Sequence, residues 1–308
     1  MHIALTGGTG MVGRAVITTL LNQGHTVTLI HRSQPTTHTQ SSATWPASVS
    51  HVVWPWDKPG QTTPTELNNL DALIHLAGEP IVGRWTAEKK QRIRDSRVVG
   101  TRLLAEGLVS LAHPPKAVVS ASAIGLYGDR GDALLSEVSS PGDTFLANVA
   151  QGWEASTDLL ANAGVRVCFA RLGIVLSKEG GALKAMLPVF QLGGGGIVGN
   201  GNQVWSWVAL PDVAKAFVFL ATTPTCQGAY NVTAPYPATN KAFTKALGQV
   251  LFRPTLIPLP AFAAKLVLGE MADALLLTSA KVIPQRLQEA GFSFTHVELE
   301  ATLKALLA

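Results

Sequence analysis

The stretch 7–13 constrains the fold of this chain most, because it holds four glycines in seven residues. It follows the short apolar run 2–6, which predicts a strand, and it precedes apolar residues at helical spacing over 11–20. A second apolar run at 26–30 predicts the next strand. A strand, a glycine loop, a helix and a strand in this order predict the first βαβ unit of a parallel sheet.

The glycine spacing within this unit indicates a ligand. Gly8, Gly10 and Gly13 follow the G-x-G-x-x-G dinucleotide fingerprint, and Gly7 opens the same loop. One such glycine makes the tight turn, one lets the backbone approach a pyrophosphate, and one lets the helix pack closely on the strand. The phosphates then lie at a helix N-terminus, where free N–H groups and the helix dipole favour an anion. We therefore predict dinucleotide binding, the alternative being a glycine-rich turn without a ligand.

The end of the second predicted strand indicates which dinucleotide is bound. NAD-specific sites place an Asp or Glu there to hold the ribose 2′-OH. This chain has His31, Arg32 and Ser33, with no acidic residue adjacent in the sequence. The Arg32 guanidinium can pair bidentately with a 2′-phosphate and Ser33 can add a hydrogen bond, whereas the alternative is a solvated arginine on a loop. We predict NADP as the cofactor in preference to NAD.

The composition of the 308-residue chain indicates a globular protein with a large core. It is 47% hydrophobic and 14% charged, which argues against a disordered chain. The net charge is +4, and the basic residues over 88–102 are mixed with acidic ones, so nothing in the charge pattern indicates a nucleic-acid partner. Two isolated cysteines, Cys168 and Cys226, form neither a metal-binding pattern nor a disulfide framework, and Cys168 is expected in the core.

No targeting or membrane signal stands out in the sequence. Apolar runs are shorter than the ~18 residues that a transmembrane helix needs, and a predicted strand stands where a signal peptide would begin. We therefore expect a cytoplasmic protein that binds a small-molecule substrate and neither nucleic acid nor membrane. The sequence leaves open whether the chain forms a homodimer.

Strands and helices alternate beyond the first unit, which predicts a Rossmann-like, doubly wound parallel α/β sheet. The predicted strands are 49–54, 70–78, 117–121 and 165–171, a loop covers 34–48, and the predicted helices are 85–110 and 147–163. After residue 172 the rhythm changes. The later elements are a flexible glycine-rich loop at 193–201 near the substrate cleft, a short strand at 230–232, and helices at 240–251, 262–268, 281–290 and 299–308.

This change of rhythm predicts two parts. Residues 1–224 form the NAD(P)-binding domain with part of the substrate cleft, and residues 225–308 form a smaller, helix-rich region that caps the substrate. Trp205 and Trp207 either line the cleft or pack in the core, and the core is the expected place for at least one of them.

Several motifs in order resemble the extended short-chain dehydrogenase/reductase superfamily, and more narrowly the bacterial sugar-nucleotide-epimerase-like family. They are Gly7–Gly13, Leu76-Ala77-Gly78-Glu79-Pro80-Ile81, Ser96-Arg97, Ser120-Ala121-Ser122 with Tyr127-Gly128, Trp153-Glu154-Ala155, Arg171-Leu172-Gly173, Gly199–Gln203, Tyr230–Pro235, Gly269-Glu270-Met271, Pro284–Leu287 and Gly291–Phe294. The late motifs lie outside the generic nucleotide-binding core, so the resemblance covers essentially the whole chain.

The resemblance implies an NADP-binding oxidoreductase or epimerase acting on a sugar nucleotide or a carbonyl compound. By position, it implies a pyrophosphate cradle at Thr9, Gly10, Met11 and Val12, contacts to the adenosine ribose phosphate from His31 and Arg32, and cofactor contacts from Leu76, Ala77, Gly78 and Arg97. Without the resemblance, Arg97 reads as a surface charge on a helix.

The catalytic pair of the superfamily, Tyr-x-x-x-Lys, is missing from this chain. The segment that should carry it offers Phe145 with Val149, or Leu146 with Ala150. The phenol of the superfamily's tyrosine moves a proton, and its lysine lowers the pKa of that phenol.

The remaining candidates are few. Ser122 is the predicted substrate-facing serine, and Tyr127 is the nearest phenol, although the alternative for Tyr127 is a packed aromatic with a satisfied hydroxyl. Glu79 and Glu154 are further candidates. Two hypotheses follow: an enzyme with atypical catalytic residues, or a catalytically inactive NADP-binding sensor or scaffold.

Overall fold

A computed structural model describes residues 1–34 and 45–308, so most of the predicted loop 34–48 lies outside the described residues. The strands, numbered in chain order, are β1 His2–Thr6, β2 Thr26–His31, β3 Val49–Val53, β4 Ala72–His75, β5 Ala117–Ala123, β6 Leu134–Leu135, β7 Arg166–Leu172, β8 Ile174–Leu176, β9 Val204–Trp205, β10 Trp207–Ala209, β11 Gly228–Val232, β12 Ala238–Thr239 and β13 Lys281–Val282.

The helices occupy the spaces between these strands and the last quarter of the chain. They are α1 Met11–Asn22, α2 Ala87–Val109, α3 Phe145–Ala155, α4 Asp158–Asn162, α5 Gly181–Gln191, α6 Leu210–Thr222, α7 Asn240–Leu251, α8 Ala261–Leu268, α9 Glu270–Ala272, α10 Gln285–Glu289 and α11 Leu299–Leu307. Short 3₁₀ turns cover Thr65–Leu67 and Ile124–Tyr127, and a π turn covers Asp273–Leu277.

The central sheet confirms the predicted α/β class. It has seven parallel strands in the order β11-β7-β5-β4-β1-β2-β3. From β1 the chain first builds outward to β2 and β3, and then returns to β4 on the other side of β1. A crevice therefore opens between the carboxyl ends of β1 and β4, which is where ligands bind in open sheets of this kind.

Alternation along β1 explains the two layers of helices. Ile3 and Leu5 pack with α1 and α6 on one face, whereas Ala4 packs with Leu104 and Leu108 of α2 on the other. Because successive side chains in a strand point to opposite faces, a strand buried on both faces must be apolar throughout. All of these side chains are at most 1% exposed, so β1 lies at the centre of the molecule.

Two predicted helices were wrong in extent. The predicted helix 147–163 is two helices, α3 and α4, because the chain turns at Thr157, whose hydroxyl donates to the Glu154 carbonyl at 2.9 Å. The predicted helix 281–290 begins only at Gln285. Pro284 precedes it as N-cap, since proline interrupts a helix interior, and Lys281–Val282 instead pairs in parallel with β6.

The predicted short strand at 230–232 is the edge of the main sheet. As β11, it pairs with β7 from Gly228 to Val232, so the sheet takes its last strand from beyond residue 224. The division of the chain at residue 224 stays a prediction.

Cys168 is confirmed in the core, with no exposed surface.

The region after β7 adds a second, smaller core. Leu176, Leu183, Phe190, Trp205, Trp207, Phe243, Leu247 and Leu303 form its buried cluster. Both tryptophans are therefore core residues, at 4% and 0% exposed. The glycine-rich loop 193–201 lies against this region and is held by hydrogen bonds, such as the 2.8 Å bond from the Leu259 N–H to the Ile197 carbonyl.

Among the described residues, no helix has the length and apolar character needed to cross a membrane. The same residues contain no cluster of three or more His, Cys, Asp or Glu side chains arranged to hold a metal ion.

Candidate functional site

The glycine loop lies in the crevice between β1 and β4 and is in close contact with its neighbours. Gly7 has φ +72°, and a Cβ there would lie 2.7 Å from the carbonyl carbon of Leu76, just after β4. A Cβ on Gly13 would overlap the carbonyl of Gly7, and a Cβ on Gly8 would lie 2.9 Å from the Leu29 side chain. Any larger residue at these positions would push the loop out of the crevice, which is the steric role predicted for the glycines.

The start of α1 is open towards solvent. Gly10 is the N-cap and supplies no capping side chain, and the first turn holds no acidic residue. Thr9 and Gly10 are exposed, while Met11 and Val12 are half-buried. The first N–H groups of the helix therefore lack a side-chain partner, and the helix dipole favours an anion at this end.

Arg14 adds a positive charge to the same loop. Its guanidinium donates to the Thr9 carbonyl at 2.7 Å, and it lies 3.8 Å from Glu179. Arg14 could not be selected from the sequence, because one arginine inside a helix carries no motif signal. The loop geometry, the open helix end and this charge fit the pyrophosphate of a dinucleotide.

Arg32 has an acidic neighbour that the sequence did not show. Its guanidinium is 2.9 Å from the carboxylate of Asp57, and the two side chains are 62% and 29% exposed. Asp57 lies beyond the end of β3, 25 residues further along the chain, so the absence of an acid near Arg32 holds only along the sequence. A phosphate at this position would compete with Asp57 for the guanidinium.

His31 contacts a histidine of the neighbouring strand, β3. Its ring stacks on that of His51 with centroids 5.2 Å apart, and its Nε2 lies 2.9 Å from Nδ1 of His51. Burial, and secondarily the charge of His51, lowers the pKa of His31. Since the ring is then neutral near pH 7, Arg32 is the cation that the end of β2 offers.

Arg97 lies beside the loop after β4, and its implied contact with the cofactor stays a prediction. Its guanidinium carbon would be 3.3 Å from a Cβ on Gly78, and it donates to the Glu79 carbonyl at 3.0 Å. It also lies over the Trp153 ring, 5.1 Å from the centroid. Burial lowers the pKa of Arg97 to about 10. Arg97 is therefore a partly buried cation at the carboxyl edge of the sheet and not an ordinary surface charge.

Ser122 lies near the end of β5 in a hydrogen-bonded network. Its hydroxyl donates to Glu154 Oε1 at 2.7 Å. Arg171 at the end of β7 donates to both oxygens of the same carboxylate, from Nε and Nη2, at 2.8 Å each. The Glu154 carboxylate thus accepts three hydrogen bonds, two of them in the strong bidentate geometry. Glu154 lies between the predicted substrate-facing serine and Arg171, which belongs to one of the family-like motifs in the sequence but had no predicted role.

Tyr127 is placed in the interior beside the same arginine. It has no exposed surface, its hydroxyl donates to Asn231 Oδ1 at 2.7 Å, and it accepts from Arg171 Nη1 at 2.9 Å. Burial raises the pKa of this phenol. Proton donation by Tyr127 stays a prediction, but the geometry favours the alternative, a packed aromatic with a satisfied hydroxyl.

The positions of the missing Tyr-Lys pair are apolar in both registers. Val149 and Ala150 are at most 5% exposed. Phe145 packs edge-on against Trp85, with ring centroids 5.5 Å apart, and the ammonium of Lys90 lies 5.3 Å from its ring centroid. Lys90 also bonds to Glu270 of the C-terminal region at 2.7 Å. No sequence signal could connect Lys90 with Glu270, which is 180 residues away.

The Glu79 carboxylate is paired with two basic side chains. Its carboxylate lies 2.7 Å from Lys89 and 3.4 Å from Arg92. The hydrogen bond from Lys89 lowers the pKa of Glu79. A carboxylate that is ionised and paired in this way is poorly suited to donate a proton.

The sheet order, the glycine crevice and the polar groups along its carboxyl edge define an NAD(P)-binding Rossmann fold of the extended short-chain dehydrogenase/reductase type. The chain belongs to the NAD-dependent epimerase/dehydratase family, whose profile matches residues 3–233. The profile of a domain of unknown function, DUF1731, matches residues 259–306.

Relatives match along nearly their whole length. The chain is 36% identical over 295 residues to an epimerase family protein of Mycobacterium bovis, covering 96% of this chain and 93% of that one. It is 34% identical over 309 residues to the epimerase family protein YfhF of Bacillus subtilis, covering 100% and 98%. The crystal structure of human epimerase family protein SDR39U1 with NADPH superimposes with a TM-score of 0.87 at 32% identity, covering 99% of both chains.

Proposed function

We propose that this protein is an NADP-dependent oxidoreductase or nucleotide-sugar epimerase-like enzyme of the atypical short-chain dehydrogenase type. The observation that carries the proposal is the glycine cradle, where Cβ atoms on Gly7, Gly8 and Gly13 would collide with the chain and the start of α1 is open. The human relative crystallised with NADPH supports the same cofactor. The substrate would be a small molecule, such as a sugar nucleotide or a carbonyl compound.

Arg32 supports NADP over NAD. It is the exposed cation at the end of β2, where a 2′-phosphate would lie, and its partner Asp57 is itself on the surface. Exposed ion pairs contribute only about 0–1 kcal/mol, so a phosphate carrying more charge than a carboxylate can displace Asp57. Leu76, Ala77, Gly78 and Arg97 would border the bound cofactor on the β4 side of the crevice.

NADP would supply or accept a hydride at its nicotinamide ring. In this chain, the Ser122 hydroxyl is the polar group best suited to orient a substrate oxygen. It already donates to Glu154, and Arg171 holds that carboxylate in one orientation. When NADPH reduces a carbonyl, the substrate oxygen gains a proton, and the Ser122 hydroxyl would deliver it in place of the missing phenol and regain a proton from water, with Glu154 and Arg171 holding the serine in position.

The C-terminal region would close the substrate side of the site. The Lys90–Glu270 contact joins α2 to this region beside Phe145, where the superfamily carries its catalytic pair. The division into residues 1–224 and 225–308 forms part of this proposal, as does a substrate cleft between the two parts.

A second function has its own supporting observation. Phe145, Leu146, Val149 and Ala150 leave no phenol or ammonium on α3 at the catalytic positions. A chain that keeps the cradle but lacks these groups could bind NADP as a sensor or scaffold without turnover.

Two measurements test the proposal. The first is the dissociation constants of NADPH and NADH, followed by nicotinamide fluorescence. Tighter NADPH binding is expected, and equal affinities would contradict the choice of cofactor. The second is single-turnover oxidation of bound NADPH on a panel of carbonyl compounds and sugar nucleotides. Hydride transfer supports the enzyme, whereas tight NADPH binding without any turnover supports the sensor.

A further inference from the structure

Large apolar side chains are exposed together on the C-terminal half of the molecule. They belong to the end of α5, the chain after α7, and α8, and each is between 52% and 88% exposed. These seven residues, called the apolar face below, are Val189, Leu192, Phe252, Leu256, Ile257, Phe262 and Leu266. Single exposed apolar residues are common on proteins, but a contiguous group marks an interaction surface.

Hydrogen bonds join the three segments into one surface. Arg253 Nε donates to the Gln191 carbonyl at 2.8 Å, which places the chain after α7 beside the end of α5. The loop that follows α5 is bonded to Leu259, only two residues before α8 begins. On α8, Phe262 and Leu266 are one turn apart and exposed, whereas Ala264 is buried. The apolar face is therefore the outer side of segments whose inner side packs on the molecule.

The charge around the apolar face is mainly positive, although Lys265 of α8 is paired with the exposed Asp273, and Glu270 follows the same helix. From 180 to 269 the sequence has a single acidic residue, Asp212, which is fully buried. The same stretch has six basic residues, and four of them, Lys184, Lys241, Lys245 and Arg253, lie exposed on or beside the segments of the face. Within the described residues, none of these four forms an ion pair. Lys245, Phe252 and Arg253 line one surface cavity, so charge and apolar surface meet directly.

We propose that the apolar face binds peripherally to an anionic lipid membrane. Phe252, Leu256 and the exposed side of α8 would enter the boundary between headgroups and acyl chains, and Lys245 and Arg253 would contact lipid phosphates. Apolar area and attraction to anionic lipid together determine such binding. The face lies on the surface and α8 has eight residues, far fewer than a spanning helix needs.

The charge pattern favours lipid over a second copy of the chain. In a two-fold contact the same patch appears on both partners, so the basic residues of one copy would lie near the basic residues of the other. Like charges across a buried contact oppose association. An anionic membrane neutralises the same residues.

Co-sedimentation of the full chain with vesicles tests the proposal. The vesicles are 70:30 phosphatidylcholine:phosphatidylglycerol or phosphatidylcholine alone, at 50 mM and 500 mM salt. The parent is expected to bind the mixed vesicles at low salt and to lose most of that binding at high salt. Phe252→Ser with Leu256→Ser should weaken binding at least tenfold, since inserted apolar area is lost. Lys245→Gln with Arg253→Gln should weaken it about 25-fold, at about fivefold for each basic residue.

Matched variants outside the face serve as controls. Val138→Ser replaces a valine that is 89% exposed, and Lys116→Gln removes an exposed lysine. Both should bind as the parent does, and circular dichroism checks that every variant is folded. Equal binding to both vesicle types, binding to neither, or equal loss in the controls would overturn the proposal. A dimer in sedimentation velocity that Phe252→Ser with Leu256→Ser abolishes would assign the face to a second copy instead.

Discussion

At the scale of single residues, the proposed preference for NADP involves an ion pair that the sequence does not show. Arg32 follows β2 and Asp57 follows β3, so the parallel pairing of the two strands brings them to the same edge. The pair gives Arg32 a fixed partner when no phosphate is bound. Under the proposed NADP binding, two residues, and not one, would determine the affinity for a 2′-phosphate.

Substitutions of this pair should move NADPH affinity in opposite directions. Arg32→Glu should weaken NADPH binding by on the order of 1.5–3 kcal/mol, the value of a hydrogen bond to a charged group. Asp57→Asn should strengthen it by up to about fivefold, because a competing exposed ion pair of about 0–1 kcal/mol is lost. Fluorescence titration measures both, with NADH as the control ligand. An unchanged NADPH affinity in Arg32→Glu would show that Arg32 does not contact the phosphate.

Because Ser122 and Tyr127 have different hydrogen-bond partners, their substitutions should have different effects. Ser122→Ala is expected to lower single-turnover NADPH oxidation by roughly 10²-fold or more, if proton transfer passes through it, with NADPH affinity unchanged. Ser120→Ala is the matched control on the same strand, because that hydroxyl donates to the neighbouring Ala121 carbonyl and, within the described residues, is not bonded to Glu154. Tyr127→Phe should have the smaller effect on turnover and lower stability by about 1–3 kcal/mol, since it leaves buried partners unsatisfied. Fast turnover in both variants would mean that another group moves the proton.

At the scale of secondary-structure elements, a buried histidine joins β1, β4 and α2. His75 Nδ1 is 2.7 Å from the Thr6 hydroxyl, and Nε2 is 3.0 Å from the Thr101 hydroxyl. Both imidazole nitrogens are thus used, one as donor and one as acceptor, as a neutral ring requires. Burial, and secondarily the charge of Arg97, lowers the pKa of His75 to about 4.

His75 should make the fold sensitive to mild acid. The unfolded chain takes up this proton near pH 6.5 and the folded chain only near pH 4, so stability falls as pH decreases between these values. The loss should approach roughly 3 kcal/mol at the lower limit. The free energy of unfolding in urea, measured from pH 7 to pH 4, should depend less on pH in His75→Gln than in the parent. His113→Gln, which replaces an exposed histidine, should show the same pH dependence as the parent. Parallel curves for all three proteins would contradict this assignment.

At the scale of the whole molecule, the central sheet and the C-terminal region depend on each other. β11 lies on the edge of the sheet and pairs with β7 along five residues. The side-chain oxygen of Asn231 in β11 accepts a hydrogen bond from the Tyr127 hydroxyl, and the backbone N–H of Asn231 donates to the Glu137 carboxylate at 2.9 Å. The smaller core likewise joins β8 to α7 and α11.

A chain that ends at residue 224 should therefore be much less stable than the full protein. It would lose the edge strand β11 and, with it, Asn231, the hydrogen-bond partner of Tyr127. It would also lose helices α7 and α11, which cover the smaller core, so apolar surface would be exposed. We expect a lower urea midpoint and aggregation, although the soluble fraction should still bind NADPH, because the glycine cradle lies between β1 and β4. Equal urea midpoints for the two chains would show that the C-terminal region is an independent appendage.

The fold class and the cofactor loop could be predicted from the sequence because their signals are local. The G-x-G-x-x-G spacing, the apolar strand runs and the helical periodicity each lie within about 20 residues, and α7 was predicted from Asn240 to Leu251 as observed. The break between α3 and α4 was not predicted, because it depends on the contact between the Thr157 hydroxyl and the Glu154 carbonyl. The start of α10 was placed too early, although Pro284 is a local signal for it. Ser122, Glu154 and Arg171 stood in recognisable motifs, but their pairing with one another had no local signal.

The sequence by itself determined the βαβ unit, the steric need for glycine, the arginine after β2 and the absence of a Tyr-Lys pair. Only the tertiary structure decided that Asp57 pairs with Arg32, that Arg171 fixes Glu154 against Ser122, and that Tyr127 is buried. It likewise decided that apolar residues from three segments meet on one basic surface. The physical reason is the same in each case: backbone conformation depends on neighbours in sequence, whereas ion pairs, burial and exposed surfaces depend on which distant segments the sheet brings together.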